Sequence, residues 1–240
     1  MSSGFEATAG SSVQLEQVRF RYRGSDFLLE VRELRVEPGE HLAIIGPSGS
    51  GKTTLLHLIA GIRLPDSGRV AVDATEISSS GDGTRRDFRI RNIGLVFQEF
   101  ELLEYLTVLD NILLPFRLSG ALPLSREVRE RAASLAAEVG IAHRLKQSAG
   151  CLSQGEKQRA AVCRALLTRP RLILGDEPTG NLDPANKGLV LEILLRQARE
   201  AGATLLVVTH DHELLPRFDR VIDCKRFYAG PPSGSAEAQP

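Results

Sequence analysis

The chain has 240 residues, 42% hydrophobic and 25% charged, which suits one large or two small globular domains with a substantial buried core. Thirty Lys and Arg balance thirty Asp and Glu, so a chain that wraps nucleic acid by net charge is excluded, although a local basic patch stays open. No apolar run approaches the ~20 residues of a membrane helix. The opening MSSGFEATAGSS lacks the basic and apolar segments of a signal peptide, so a cytosolic chain is expected, reaching any membrane through a partner.

Met1 to Ser12 and Ala229 to Pro240 are rich in Gly, Ser, Ala and Pro and read as mobile tails (residues 1–12 and 229–240) around one domain spanning 13–228. From Val13 to Val36, apolar and polar residues alternate as in half-buried antiparallel strands. HLAIIG (His41 to Gly46), RLILGD (Arg171 to Asp176) and TLLVVTH (Thr204 to His210) are nearly continuous in Leu, Ile and Val. Each precedes a turn and a helix-like segment, the pattern of a parallel sheet with helices on both faces. Between Glu101 and Gln158 the chain reads as mostly helical. SREVRERAASLAAEVG is capped by Ser125, places Val128, Ala132, Leu135 and Val139 on one face, and stops at Gly140. The expected fold is therefore α/β: a parallel-sheet core with an N-terminal antiparallel β-subdomain and an inserted α-helical subdomain at about 99–165. Cys151, Cys163 and Cys224 form no CxxC pair and are expected to be buried as small apolar residues.

GPSGSGKT comprises Gly46, Pro47, Ser48, Gly49, Ser50, Gly51, Lys52 and Thr53, with Thr54 next in the helix, and fits G-x-x-x-x-G-K-[ST] at every fixed position. Glycines let backbone N–H groups turn inward around phosphates, Lys52 supplies a point charge, and Thr53 offers a hydroxyl to Mg²⁺. This is a P-loop, and it predicts binding of a nucleoside triphosphate. Downstream, Asp176 and Glu177 end a strand, where ligands of open α/β sheets bind. Asp176 is the candidate Mg²⁺ ligand and Glu177 the group that orients or deprotonates the attacking water. In CLSQGEKQR, Ser153 is an N-cap and Glu156 its capping-box partner, so this helix start also suits an anion, yet no phosphate loop lies near it in sequence.

Together these residues resemble the ATP-binding-cassette ATPases over roughly Val13 to Tyr228. LSQGEKQR is similar to that family's signature, usually written LSGGQ, with Gln154 and Glu156 as departures and Gly155 kept; Gly175 also interrupts the usual apolar run before the acid. The resemblance implies that Ser153, Gln154, Gly155 and Glu156 face the γ-phosphate held by a second, antiparallel copy, so the missing anion belongs to another molecule. It also implies that Tyr22 stacks on adenine and that Gln98 touches Mg²⁺ and the lytic water and faces a membrane partner. Asn181 to Asp183 would follow the catalytic acid, with Asp183 reaching across the interface, and His210 would contact the γ-phosphate. His41, His57, His143 and His212 match nothing and are read as structural. FQEFELLEYLTVLDNILLP and GDEPTGNLDP resemble the ATPase subunits of lipoprotein-releasing and macrolide-export-like systems. The implied protein is an ATPase using ATP and Mg²⁺, homodimeric, and peripheral on the inner face of the cell membrane through an integral permease subunit, with no nucleic acid partner. The alternatives are a soluble cassette ATPase acting on nucleic acid or ribosomes, and a nucleotide kinase built on the same loop.

Overall fold

The computed structural model describes residues 10–227 except 119, 121, 181 and 183. The chain begins with two long antiparallel strands, β1 (Val13–Arg21) and β2 (Leu28–Val36), paired from Val13 with Val36 to Arg21 with Leu28. Their alternation changes parity: Val13 and Leu15 are buried, then Val18 and Phe20. The cause is a bulge at Gln17, which takes φ 50 and shifts the register against the next strand of the sheet. The extra residue returns the apolar side chains to the core face.

The chain then enters the core through β3 (His41–Ile45) and α1 (Lys52–Ile59). It returns to the first sheet as β4 (Ser67–Val72) and β5 (Thr75–Glu76), giving the antiparallel order β2-β1-β4-β5. The polar helix α2 (Asp82–Asn92) leads directly into β6 (Ile93–Val96). Three helices follow: α3 (Val108–Ile112), α4 (Leu114–Leu118) and α5 (Arg126–Glu138). Ser125 caps α5 as the sequence predicts, accepting from the Val128 N–H. Between Glu101 and Gln158 the helices α3 and α4 have five residues each and α5 thirteen, and buried Asn111 ties the turn ahead of α3 through the backbone of Leu103 and Thr107. The remaining elements are α6 (Gln154–Leu167), β7 (Leu172–Asp176), α7 (Pro184–Ala201), β8 (Thr204–Val208) and β9 (Arg220–Asp223). The core sheet is parallel, in the order β6-β7-β8-β3-β9.

Both faces of that sheet are covered, which explains its continuous apolar strands. Leu42, Ile44, Leu172, Leu174, Leu206 and Val208 face α1 and the antiparallel sheet. Ala43, Ile173, Leu205 and Val207 face the other way, into the core that α3, α5, α6 and α7 share. Each fully buried Leu or Ile contributes roughly 1.5–3 kcal/mol of transfer free energy, so the slab joining the strand ends is stiff. Gly10 to Ser12, read from sequence as the end of a tail, are instead anchored. The Ser11 hydroxyl donates to Asp73 and the Ser11 N–H to the Arg171 carbonyl, while the Ser11 carbonyl accepts from Thr204. Cys163 and Cys224 are buried, but Cys151 is exposed, a correction that follows from its place in a surface 3₁₀ turn at Ala149–Cys151.

Candidate functional site: a phosphate-loop cleft at the strand ends

The C-terminal ends of β3, β6, β7 and β8 open onto a cleft of about 630 Å³, lined among others by Tyr22, Lys52, Thr53, Gln98, Asp176, Glu177 and His210. Between β3 and α1 the backbone turns at Gly46 (φ 150), Gly49 (φ 78) and Gly51 (φ 92). Gly51 is the N-cap of α1, and no side chain caps that helix start. The leading N–H groups and the positive end of the helix thus face the cleft. A Cβ on Gly46 would lie 2.8 Å from Ser50 Oγ, and one on Gly51 would lie 2.8 Å from Leu29, so the loop is packed from behind as well as bent. Lys52 Nζ curls over it and donates to the Gly46 and Pro47 carbonyls at 2.8 and 2.9 Å. Pro47 and Ser50 form the loop's own frame through the Ser50 N–H to Pro47 carbonyl bond, 3.2 Å.

Asp176, the last residue of β7, is buried, with the Thr53 side chain close enough to favour its charged form. Burial pushes its carboxyl above the usual range, Glu177 adds to the rise, and Thr53, His57 and Lys52 only partly oppose it. An oxygen-only pair of carboxylate and hydroxyl, backed by a carboxyl that lacks a full charge partner, fits a hard dication such as Mg²⁺. The raised value also has a stability consequence. The folded chain holds the Asp176 proton more tightly than the unfolded one, so stability falls as pH rises from the ordinary carboxylate value through the raised one. Above the ordinary carboxylate value the buried Asp176 carboxyl therefore destabilises the nucleotide-free fold. Asp176→Asn keeps the shape without the charge and is expected to raise the Tm of nucleotide-free protein by a few degrees while abolishing Mg²⁺-dependent hydrolysis. Calorimetry and phosphate release on the same preparation check both halves.

Glu177 takes a left-handed conformation, φ 49, fixed by its N–H to the Val208 carbonyl and by its carbonyl to the Gly180 N–H, both 3.0 Å. Its Oε1 lies 2.9 Å from His210 Nδ1, and its buried Oε2 finds no partner among the described residues. One carboxylate oxygen is thus oriented by His210, and the other is buried without a partner among the described residues. Tyr22 follows β1 at the other end, its hydroxyl 3.0 Å from Thr54 Oγ1 and its ring packed edge-on against Phe20. Gln98 is exposed at the start of the Phe97–Phe100 turn. It also borders a second cleft, of about 560 Å³, whose other walls include Glu104, Gln154 and Lys157.

Ser153, Gln154, Gly155 and Glu156 do not line the phosphate-loop cleft. They start α6, where the predicted capping box is complete: Ser153 Oγ accepts from the Glu156 N–H and Glu156 from the Ser153 N–H. Glu156 also pairs with Arg144 at 2.7 Å, so its charge is turned inward and held below the usual carboxylate range, first by the Ser153 N–H. Gln154 is exposed, and a Cβ on Gly155 would come within 3.2 Å of Leu182. Asn181 and Asp183 lie outside the described residues. Phe27 also lines the cleft, with no sequence signal beyond being an aromatic ahead of β2. His41 is buried, whereas His57 sits close enough to Asp176 for their charges to interact.

A parallel sheet with a P-loop after one strand and paired acids after another defines a nucleotide-hydrolysing P-loop ATPase. Residues 29–180 match the family described as ABC transporter. The lipoprotein-releasing system ATP-binding protein LolD of Gluconobacter oxydans is 41% identical over 219 residues, covering 90% of this chain and 94% of its own. That of Xanthomonas campestris pv. campestris is 44% identical over 194 residues, covering 80% and 79%. Among solved structures, a dimeric ATP-binding cassette in a post-hydrolysis state with ADP and Pi superposes with TM-score 0.82 at 33% identity, covering 88% of this chain and 93% of that one. The chain belongs to the ABC transporter family and is an ATP-binding, ATP-hydrolysing cassette of it. The fold class expected from sequence, with its antiparallel and helical additions, is the one observed.

Proposed function

We propose that this chain is the ATPase subunit of a lipoprotein-release type system and works as a homodimer that closes around two ATP molecules. The observation that carries the dimer is the separation within one chain: the phosphate loop, both acids, Gln98 and His210 share a cleft that the signature residues do not enter. A helix N-terminus as carefully capped as Ser153–Glu156 then completes the site of a second copy, and the phosphates bridge the two. Near-full-length similarity to proteins named for lipoprotein release supports the choice of system.

In this reading the P-loop residues Gly46 to Thr54 hold the phosphates, with Lys52 swinging from its loop carbonyls to the β- and γ-phosphate oxygens. Tyr22 offers its ring to adenine. Thr53, Asp176 and Gln98 would hold Mg²⁺, which supplies charge neutralisation at the phosphates. Glu177 accepts the proton of the attacking water, while His210 holds its carboxylate and lies beside the γ-phosphate. Ser153, Gly155 and Asp183 reach the other copy's nucleotide, with Gln154 and Glu156 in the variant signature positions. Closing and opening the dimer would move the helical region, about 99–165, and with it a permease docked near Gln98. The chain would be cytoplasmic and peripheral on the membrane's inner face, and among the described residues no helix is long and apolar enough to cross a bilayer.

The test is a pull-down of tagged Glu177→Gln protein from detergent-solubilised native membranes with ATP and Mg²⁺. A recovered membrane protein with few spans and a large external domain supports the lipoprotein-release type. Recovery only of ribosomes or nucleic-acid proteins overturns it.

A further inference from the structure

Two consecutive non-glycine residues just past Gln98, Phe100 (φ 63) and Glu101 (φ 50), are left-handed. Such a conformation is unfavourable for an L-residue unless its surroundings compensate. The turn that carries Gln98 is closed by the Phe100 N–H to the Phe97 carbonyl, 3.1 Å, and leaves through these two residues. Their carbonyls both point at one side chain. Arg164 Nη2 donates to the Phe100 carbonyl at 2.6 Å, and Arg164 Nη1 donates to the Glu101 carbonyl. Arg164 is only 9% exposed, and burial lowers its pKa to about 10, so it stays charged at neutral pH. No carboxylate forms a salt bridge with it among the described residues; its fork is spent on backbone carbonyls. It stands on α6, 11 residues beyond the Ser153 cap and so about 16 Å along the same helix.

We propose that Arg164 is a positioning residue for Gln98, its guanidinium locking the left-handed exit of the turn so that the glutamine side chain is presented to the cleft at a fixed height. The inference rests on the reading of Gln98 given above. A planar fork reaches two carbonyls 63 and 64 residues away in sequence, whereas a lysine ammonium at the same place holds one. Arg164 touches no reacting atom, and its effect belongs on turnover rather than on nucleotide affinity.

Arg164→Lys is expected to lower kcat by about ten- to a hundredfold, the scale of a misplaced group near the chemistry, with ATP affinity within about twofold of wild type. Glu101→Gly, which makes the left-handed turn easy at an exposed position, should restore part of that loss in the Arg164→Lys background. Gln98→Ala serves as the reference. If Gln98→Ala leaves kcat unchanged, the reading of Gln98 fails and the inference with it. If Gln98→Ala slows turnover but Arg164→Lys does not, only the inference fails. Loss of ATP affinity in parallel with kcat, without rescue by Glu101→Gly, would assign Arg164 a purely structural role and overturn it as well. Should Arg164→Lys not fold, Glu101→Val strains the same turn with Arg164 intact and should reproduce the kcat loss; unchanged kcat there would refute the proposal.

Discussion

Glu177→Gln protein is expected to bind ATP normally, to hydrolyse it about 10²–10⁴-fold more slowly, and to accumulate as an ATP-bound dimer. The amide has the shape of the carboxylate, and its oxygen can still face His210 Nδ1, which lies 2.9 Å from Glu177 Oε1. What it loses is a basic carboxylate, whose Oε2 is buried and without a partner among the described residues. The left-handed backbone at Glu177 is held by main-chain bonds to Val208 and Gly180, so the substitution leaves the frame in place. Phosphate release measures the rate, and size-exclusion with light scattering in ATP and Mg²⁺ measures the dimer. Hydrolysis at the wild-type rate would remove Glu177 from the role of base, and persistent monomer at saturating ATP would count against two copies sharing their nucleotides.

Lys52→Ala should fail one step earlier, at binding. Removing a charged donor to phosphate costs about 1.5–3 kcal/mol, or roughly ten- to more than a hundredfold in Kd, before any indirect effect. The fold should survive, because the Gly46 and Pro47 carbonyls that Lys52 now bonds sit at the cleft's edge and water can replace the ammonium. Titration with a fluorescent ATP analogue and a thermal melt separate the two effects. Unchanged affinity would contradict the phosphate-loop assignment. A dimer that forms with Glu177→Gln but not with Lys52→Ala would place nucleotide binding before association.

Most of the cleft was legible because its chemistry is local. The phosphate loop, the strand ending at Asp176 and Glu177, and the capping box at Ser153 each put cause and effect within a few residues. The elements that escaped reading are those whose partners are remote or whose pattern is short. The second residue of β4 is Gly68 at φ 87, packed so closely on the Gln17 bulge that a Cβ would fall 2.2 Å from the Gln17 carbonyl oxygen, and nothing nearby in sequence announces that contact. The helix α2 buries none of its residues, so it has no apolar stripe to read, and β6 is four residues long. The clamp of Arg164 on Phe100 and Glu101 spans more than sixty positions, and its αL carbonyls are visible only in three dimensions. The bulge at Gln17 is an intermediate case: the parity change from Leu15 to Val18 is in the sequence, but its meaning depends on which face is buried.

The unequal fate of the cysteines gives this chain a built-in chemical address. Cys163 and Cys224 are fully buried and burial pushes both thiols up, Cys224 to about 11, so neither offers a thiolate to a reagent at neutral pH. Cys151 alone is exposed, two residues before the Ser153 cap. A maleimide dye on the unmodified protein therefore lands at one site, beside the surface that a second copy would cover, and its emission would report opening and closing in real time without an engineered label.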